Sequence, residues 1–411
     1  MTTSPLSRRR LLGTAGAAGA AGLVAGAAGG VAGTALAGDD TPPLSTVGST
    51  TVMFHGKHQA GITTAPQSRG HLAAFDLLPD AGRKGAAALL RRWSRTAERL
   101  TAGRAVADDT AIALDAGPSS LTVTFGFGHS FFSRTGLEDR RPAALDPLPA
   151  FSSDALDPRR SNGDLWVQIG ADDALVAFNA LRALQKDAAG TARVRWQMNG
   201  FNRSAGATAR PMTTRNLMGQ IDGTRNPRPE EADFEQRVFV PGGGGAKDPE
   251  WMAHGSYAVV RRIRMLLDDW EELSREEQER VIGRRKDTGA PLTGGTETTP
   301  LDLEKTGPDG RPVVPANAHA RISMPETNGG AALLRRPFSF HDGFDEKGVP
   351  DAGLLFVCWQ ADPLRGFVPV QRKLDRGDAL SPFIRHEASG LFAVPGGCQP
   401  DGYVGRELLE G

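Results

Sequence analysis

The order in which apolar patterns follow one another is what most limits how this 411-residue chain can fold. Residues 70–78 read as a strand. Residues 81–102 follow as a helix, with Ala88, Leu89, Leu90, Trp93 and Leu100 at helical spacing and Arg91, Arg92 and Arg95 left for water. Segment 119–126 alternates Leu121, Val123 and Phe125 on one side, and 165–169 is a second short apolar run. A helix over 172–185 and a closing strand over 192–201 complete β-α-β-β-α-β, the order of a ferredoxin-like unit. The connection 137–164, rich in Pro and Asp, is expected to cross the surface.

The second half repeats the plan. Strand 255–265, with Tyr257, Val259 and Arg261 alternating against Ala258, Val260 and Arg262, leads into a helix over 268–282. Strands at 320–323 and 354–359 and a helix at 363–374 follow. A weak internal echo supports duplication: with Trp166 laid on Phe356, Val167, Ala171, Asp172, Arg182 and Leu184 match Val357, Ala361, Asp362, Arg372 and Leu374. Segment 284–317 holds Gly, Pro, Thr and charges with little periodicity, the mark of a long functional or flexible loop.

Lys plus Arg and Asp plus Glu are 48 each, so the formal net charge is +0 and no polyanionic partner such as nucleic acid is indicated. The run Ser7-Arg8-Arg9-Arg10-Leu11-Leu12 opens a mildly apolar stretch rich in Ala and Gly that ends at Ala35-Leu36-Ala37. Paired arginines, a weakly hydrophobic core and an A-x-A exit read as a twin-arginine export signal cleaved after Ala37. The rival reading, a membrane anchor, suffers from the many small residues. The expected layout is a signal at 1–37, a linker at 38–49, one ferredoxin-like unit at 50–205 and a second at 206–411. Two cysteines, Cys358 and Cys398, are too few for a cysteine-ligated zinc or iron–sulfur scaffold, and whether they pair is open.

Chemistry concentrates in 216–227, Asn-Leu-Met-Gly-Gln-Ile-Asp-Gly-Thr-Arg-Asn-Pro. One carboxylate, Asp222, stands on a tight loop with glycines on both sides, which permit positive φ or close approach to a flat ligand. Apolar neighbours strip water from a carboxylate and suit it to proton transfer; an Asx-turn is the commonplace alternative for Asp-Gly. Further on stand Asn317-Ala318-His319-Ala320-Arg321-Ile322 and Leu333-Leu334-Arg335-Arg336-Pro337-Phe338. An acid, a histidine and an arginine on three apolar segments are the parts a haem peroxidase needs.

The G-x-x-D-G loop, the His-x-Arg segment and the Leu-Arg-Arg segment, in this order, resemble the dye-decolourising peroxidase (DyP-type) family, in its exported branch that includes deferrochelatase-like proteins. The likeness runs from about Gly56 to Arg406, and Gly56-Lys57-His58-Gln59-Ala60-Gly61-Ile62, Gly283-Arg284 and Gly353-Leu354-Leu355-Phe356 are further landmarks. It implies an α+β fold of duplicated ferredoxin-like units, of the dimeric α+β barrel type, with one haem b per chain in the C-terminal half.

Carried over residue by residue, the resemblance makes His319 the iron ligand, while His55, His58, His71, His129, His254, His341 and His386 keep ordinary readings. Asp222 carries peroxide's proton and Arg335 stabilises charge during O–O cleavage, with Arg336 turned away or in an ion pair. Gly223, Thr224 and Arg225 border the porphyrin. Arg284 is either a propionate partner or a surface charge. Leu354 and Phe356 roof the pocket or simply pack, and residues 324–326 touch the proximal edge.

Implied partners are hydrogen peroxide, small aromatic donors and the export machinery, with no stable membrane anchor. A carboxylate in place of a distal imidazole implies an acidic optimum, because it stays ionised where imidazole is protonated; a pH–rate profile peaking above neutrality would contradict this. A narrow pocket would send electrons through oxidisable side chains, the candidates being Trp93, Trp166, Trp196, Trp251, Trp270, Trp359, Tyr257 and Tyr403. The chain departs from the family at Pro337-Phe338-Ser339-Phe340, where Gly-Tyr-Ser-Tyr is common, and at Gln220-Ile221, where Phe-Lys is. Two other readings stand beside the peroxidase: a haem-handling protein that takes up porphyrin or releases its iron, and a binding domain whose haem motifs have decayed.

Overall fold

The computed structural model describes residues 47–208, 212–243 and 248–411. The export signal expected at 1–37 lies outside them. No helix among the described residues is long and apolar enough to cross a membrane.

In the first half, β1 (Arg69–Leu77), α1 (Gly82–Thr101), β2 (Thr122–Gly128), the short α2 (His129–Thr135), β3 (Leu165–Ala171), α3 (Ala174–Ala188) and β4 (Ala192–Phe201) follow in order. β1 lies between β3 and β4, and β2 pairs with β3, all antiparallel. Every residue of β2 and β3 is buried, as expected for strands covered on both faces. One face meets α1 and α3, whose Leu89, Leu90, Trp93, Leu181 and Leu184 join Leu165, Val167 and Ile169. Burying each leucine contributes about 1.5–3 kcal/mol. Trp93 also stacks on Phe125 at 5.4 Å and donates its Nε1–H to the Leu184 carbonyl at 2.9 Å, which locks the helices in register. Asp173 starts α3 by accepting from the N–H groups of Leu175 and Val176.

The second half contains α4 (Phe234–Val238), β5 (Ser256–Met265), α5 (Leu267–Glu271), α6 (Arg275–Ile282), α7 (His319–Ser323), β6 (Leu334–Arg335), β7 (Phe338–Phe344), β8 (Pro350–Gln360), α8 (Phe367–Gly377), β9 (Ile384–Val394) and α9 (Arg406–Glu410). Here β5 lies between β8 and β9, and β7 pairs with β8, reproducing the first half's arrangement. Phe201 opposite Ser339 joins β4 to β7, and Phe127 opposite Ala393 joins β2 to β9. Eight strands thereby close into an antiparallel barrel, with β6 added along β8. Closure removes the unpaired edges an open sheet would expose. At one join the Phe338 side chain occupies the space that a Cβ on Gly70 or Gly200 would need, its ring 2.6 Å from the first position and its Cβ 2.4 Å from the second.

The barrel interior is filled by Trp166, Trp359, Phe338, Phe340, Leu355, Val357 and Phe392, with Trp166 stacked on Phe392. The duplicated ferredoxin-like plan is therefore present, but the sequence echo is not its cause. β3 and β8 are equivalent strands, yet the echo matches helix-facing Val167 to interior Val357. A shift of one residue exchanges the two faces of a strand.

Three local expectations change. The helix expected over 268–282 is two, because Ser274 and Glu277 form a capping box that starts α6 afresh. Residues 320–323, expected as a strand, are the helical turn α7: Ile322 N–H bonds to the Ala318 carbonyl, and Met324, before Pro325, turns extended and ends it. Four residues of alternation cannot separate the two periods. Strands β7 and β9 carry Ser, His, Asp, Glu and Gly among their apolar residues, which hides them from a pattern reading. The excursion 137–164 is pinned to the second half: Asp154 pairs with Arg261, and Asp375 accepts from the N–H groups of Ser152 and Ser153.

Candidate functional site

The outer face of β5, β8 and β9 and the helical layer of α7 and α8 enclose a cavity, and atom centres of a ligand could range over about 230 Å³ within it. Ile263, Met265, Leu354, Phe356 and Ile384 line it from the sheet, and Phe367, Val370 and Leu374 from α8. All nine residues singled out from the sequence line it: Asp222, Gly223, Thr224, Arg225, Arg284, His319, Arg335, Leu354 and Phe356. Met324, Pro325 and Glu326 line it too.

Asp222 is carried by the loop that the glycines permit. Gly219 and Gly223 take φ of 77° and 127°, which side-chain-bearing residues rarely adopt. An Asx-turn does form here, but at Asn216, whose Oδ1 accepts from the N–H groups of Met218 and Gln220. The Asp222 carboxylate is thus left for other partners. Arg335 Nη1 donates to its Oδ1 at 3.3 Å, and Asn216 Nδ2 to its Oδ2 at 3.4 Å.

Strand alternation left open which arginine of the pair faces the cavity, and it is Arg335. Arg336 is 5 % exposed and donates to Gln67 Oε1 and the Ala65 carbonyl, and burial pushes its pKa down to about 10. No carboxylate among the described residues pairs with it. A sequence reading lacked the partner, Gln67, which comes from the other half.

His319 Nδ1 lies 2.7 Å from Asp378 Oδ2, and the Asp378 side chain is 2 % exposed. This contact leaves Nε2 as the free ring nitrogen. Burial disfavours the imidazolium, but the Asp378 carboxylate, helped by Asp222, outweighs it and holds the His319 pKa above its ordinary value. Asp378 is 59 residues away along the chain, so no local motif could have revealed it.

Arg284 is 7 % exposed, which settles against a surface charge. Its Nη1 donates to the carbonyls of Gly289 and Glu297, and its Nη2 is buried without a protein partner. Burial, then the nearby charges of Arg225 and Arg335, lower its pKa, so three cations converge on one wall. Thr224 donates to Glu297 at 3.1 Å, and Arg225 pairs with Glu326 at 2.6 Å.

Sequence reasoning missed Arg261 and His386, which also line the cavity. His386 is 5 % exposed with Nδ1 unbonded, and burial, then the charge of Arg261, depress its pKa to about 3. The six tryptophans and two tyrosines are all buried. Cys358 and Cys398 are both free and buried.

Comparison with known proteins comes back to the same chemistry. The model "Dyp-type peroxidase, N-terminal" matches residues 59–202, and "Dyp-type peroxidase, C-terminal" matches 213–399. A dye-decolorizing peroxidase of Thermobifida fusca (strain YX) is 47% identical over 365 residues, 86% of this chain and 84% of that protein. The crystal structure of a DyP-type peroxidase from Streptomyces coelicolor is 74% identical, covers 90% of this chain and 100% of its own, and superposes with a TM-score of 0.88. Ferric DtpA from Streptomyces lividans is likewise 74% identical with the same coverage, at a TM-score of 0.87.

Proposed function

This chain belongs to the Dyp-type peroxidase family, and from that premise we propose that its cavity holds one haem b and uses hydrogen peroxide to oxidise small aromatic donors. The observation that carries the reading is the cavity itself, lined both by His319 and by the Asp222–Arg335 pair. Its residues fit a haem in three respects. An imidazole with Nδ1 committed to a buried carboxylate presents Nε2 to iron in a fixed orientation. Ile263, Leu354, Phe356 and Val370 supply apolar lining that would suit a porphyrin ring. The buried, unpartnered Nη2 of Arg284 suits a propionate oxygen. When bound, the haem supplies the redox chemistry, passing electrons from donors to peroxide.

The protein's part is proton handling and charge. Reduction of hydrogen peroxide to two waters takes two electrons and two protons, and the first proton must move from one peroxide oxygen to the other. Asp222 accepts it and returns it to the oxygen that leaves. Arg335, permanently cationic, stabilises the negative charge that builds on that oxygen as the O–O bond lengthens. Leu354 and Phe356 narrow the approach to something the size of peroxide, so larger donors give up their electrons at the protein surface.

Adding peroxide to the haem-loaded protein should perturb the Soret band at once, and an aromatic donor should restore it while being oxidised. Iron release without donor oxidation would favour the haem-handling reading, and a protein purified without a Soret band would favour a decayed site.

Export through the twin-arginine route is part of the proposal, supported by Ser7-Arg8-Arg9-Arg10 and Ala35-Leu36-Ala37. The expected mature N-terminus is Gly38, and the double change Arg8→Lys with Arg9→Lys should leave unprocessed protein inside the cell. N-terminal sequencing of the extracytoplasmic fraction decides this, and a full-length start there would reject it.

A further inference from the structure

Arg335 lies in a two-residue strand, and it is the neighbouring Arg336 N–H that bonds to the Val357 carbonyl of β8, at 2.8 Å. Alternation then turns the main-chain N–H and C=O of Arg335 to the other side. There stands the carboxamide of Asn226. Its Oδ1 accepts from the Arg335 N–H at 3.1 Å, and its Nδ2 donates to the Arg335 carbonyl at 2.7 Å, as an adjoining strand would. These two bonds fix which end of the amide is oxygen. The same Oδ1 also accepts from Arg335 Nε at 3.2 Å.

The guanidinium is therefore held twice, at Nε by Asn226 and at Nη1 by Asp222. Both anchors sit on one loop, tightened by the Asn226 N–H bonding to the Gly223 carbonyl at 3.1 Å. Arg335 Nη2 is engaged by neither anchor. A long side chain with several free torsions loses entropy when confined, and a partner that confines it beforehand removes that cost from the reaction.

We propose that Asn226 is the positioning residue of Arg335, fixing both its strand and its Nε so that the guanidinium stands ready over the peroxide site. The proposal rests on the reading of Arg335 as the group that stabilises charge in O–O cleavage. It predicts that Asn226 acts only through Arg335.

The test compares haem-loaded wild type, Asn226→Ala, Arg335→Leu and the double variant, following the Soret change against peroxide concentration. Asn226→Ala should lower the second-order constant by about tenfold to a hundredfold, with haem per chain and the donor KM unchanged. The double variant should be no slower than Arg335→Leu alone, because the anchor has nothing left to hold. Effects that multiply in the double variant would overturn the proposal, as would an Asn226→Ala enzyme at the wild-type rate beside a slow Arg335→Leu. Arg335→Leu at the wild-type rate removes the underlying reading, a distinct failure that takes the proposal with it. Asn226→Asp keeps the oxygen that accepts from Nε but sets a second oxygen against the Arg335 carbonyl in place of the Nδ2 donor, so it should recover only part of the rate lost in the Ala variant. An Asp variant slower than Arg335→Leu, or one that loses haem, overturns the proposal even where the Ala variant does not fold, because residue 226 would then act other than through Arg335.

Discussion

Replacing His319 by alanine is expected to yield a folded protein that loses haem during purification, and with it all peroxide-dependent donor oxidation. The fold should survive because His319 is not a core residue. It sits on the short turn α7, which is held by buried Val314 and Ala318 beside it. What the substitution leaves behind is the Asp378 carboxylate. Its Oδ1 keeps the Leu380 N–H at 3.0 Å, while Oδ2 loses its partner, at a cost of roughly 1–3 kcal/mol. A lowered unfolding midpoint should therefore accompany the lost Soret band. Asp378→Asn separates the two effects: an amide oxygen still accepts from Nδ1–H but carries no charge, so haem should bind about 10–100-fold more weakly without being lost. Retention of a normal Soret band and peroxide rate by His319→Ala would remove His319 from the iron.

How much of this could be read from residues alone varies with the range of the interaction. The four strands and the two longer helices of the first half were legible because each carries an unbroken period, as in 192–201, where expectation and structure agree to the residue; the seven-residue α2 is too short to show one. The cavity residues were legible as an ordered set of short segments. Their partners were not. Asp378, Asn226, Glu297 and Gln67 each meet a site residue or its neighbour across dozens of residues of chain, and nothing local marks an amide or carboxylate for such a contact. The break between α5 and α6 was there to be read, since Ser274 and Glu277 have capping-box spacing, but the helical period on either side concealed it. The turn at α7 was misread for the opposite reason, that its pattern is too short to have a period. Arg261 is hidden because the alternation of β5 already accounts for it, and His386 because β9 shows no clear strand pattern; the orphaned Arg261 Nε and His386 Nδ1 appear only in three dimensions.

Asp222→Asn is expected to slow the reaction with peroxide by roughly 10²–10⁴-fold, the range in which a positioned proton carrier contributes, while haem content stays that of the wild type. The amide is the same size as the carboxylate, and its oxygen can still accept from Arg335 Nη1. Its NH2 would meet the Asn216 Nδ2–H, donor against donor, which favours turning that end aside and leaves the loop's glycine geometry intact. What disappears is a group able to take a proton and give it back. Arg335→Leu removes a different contribution, charge stabilisation, and should cost roughly 10²–10³-fold. Since the two side chains touch, their effects should not simply multiply, and the double variant should lie well above the product of the singles. Stopped-flow constants across pH for the two singles and the double distinguish this from a structural role. Were Asp222→Asn to lose haem along with rate, the loop would be holding the cofactor rather than moving protons, and the acid of this site would have to be sought in another residue.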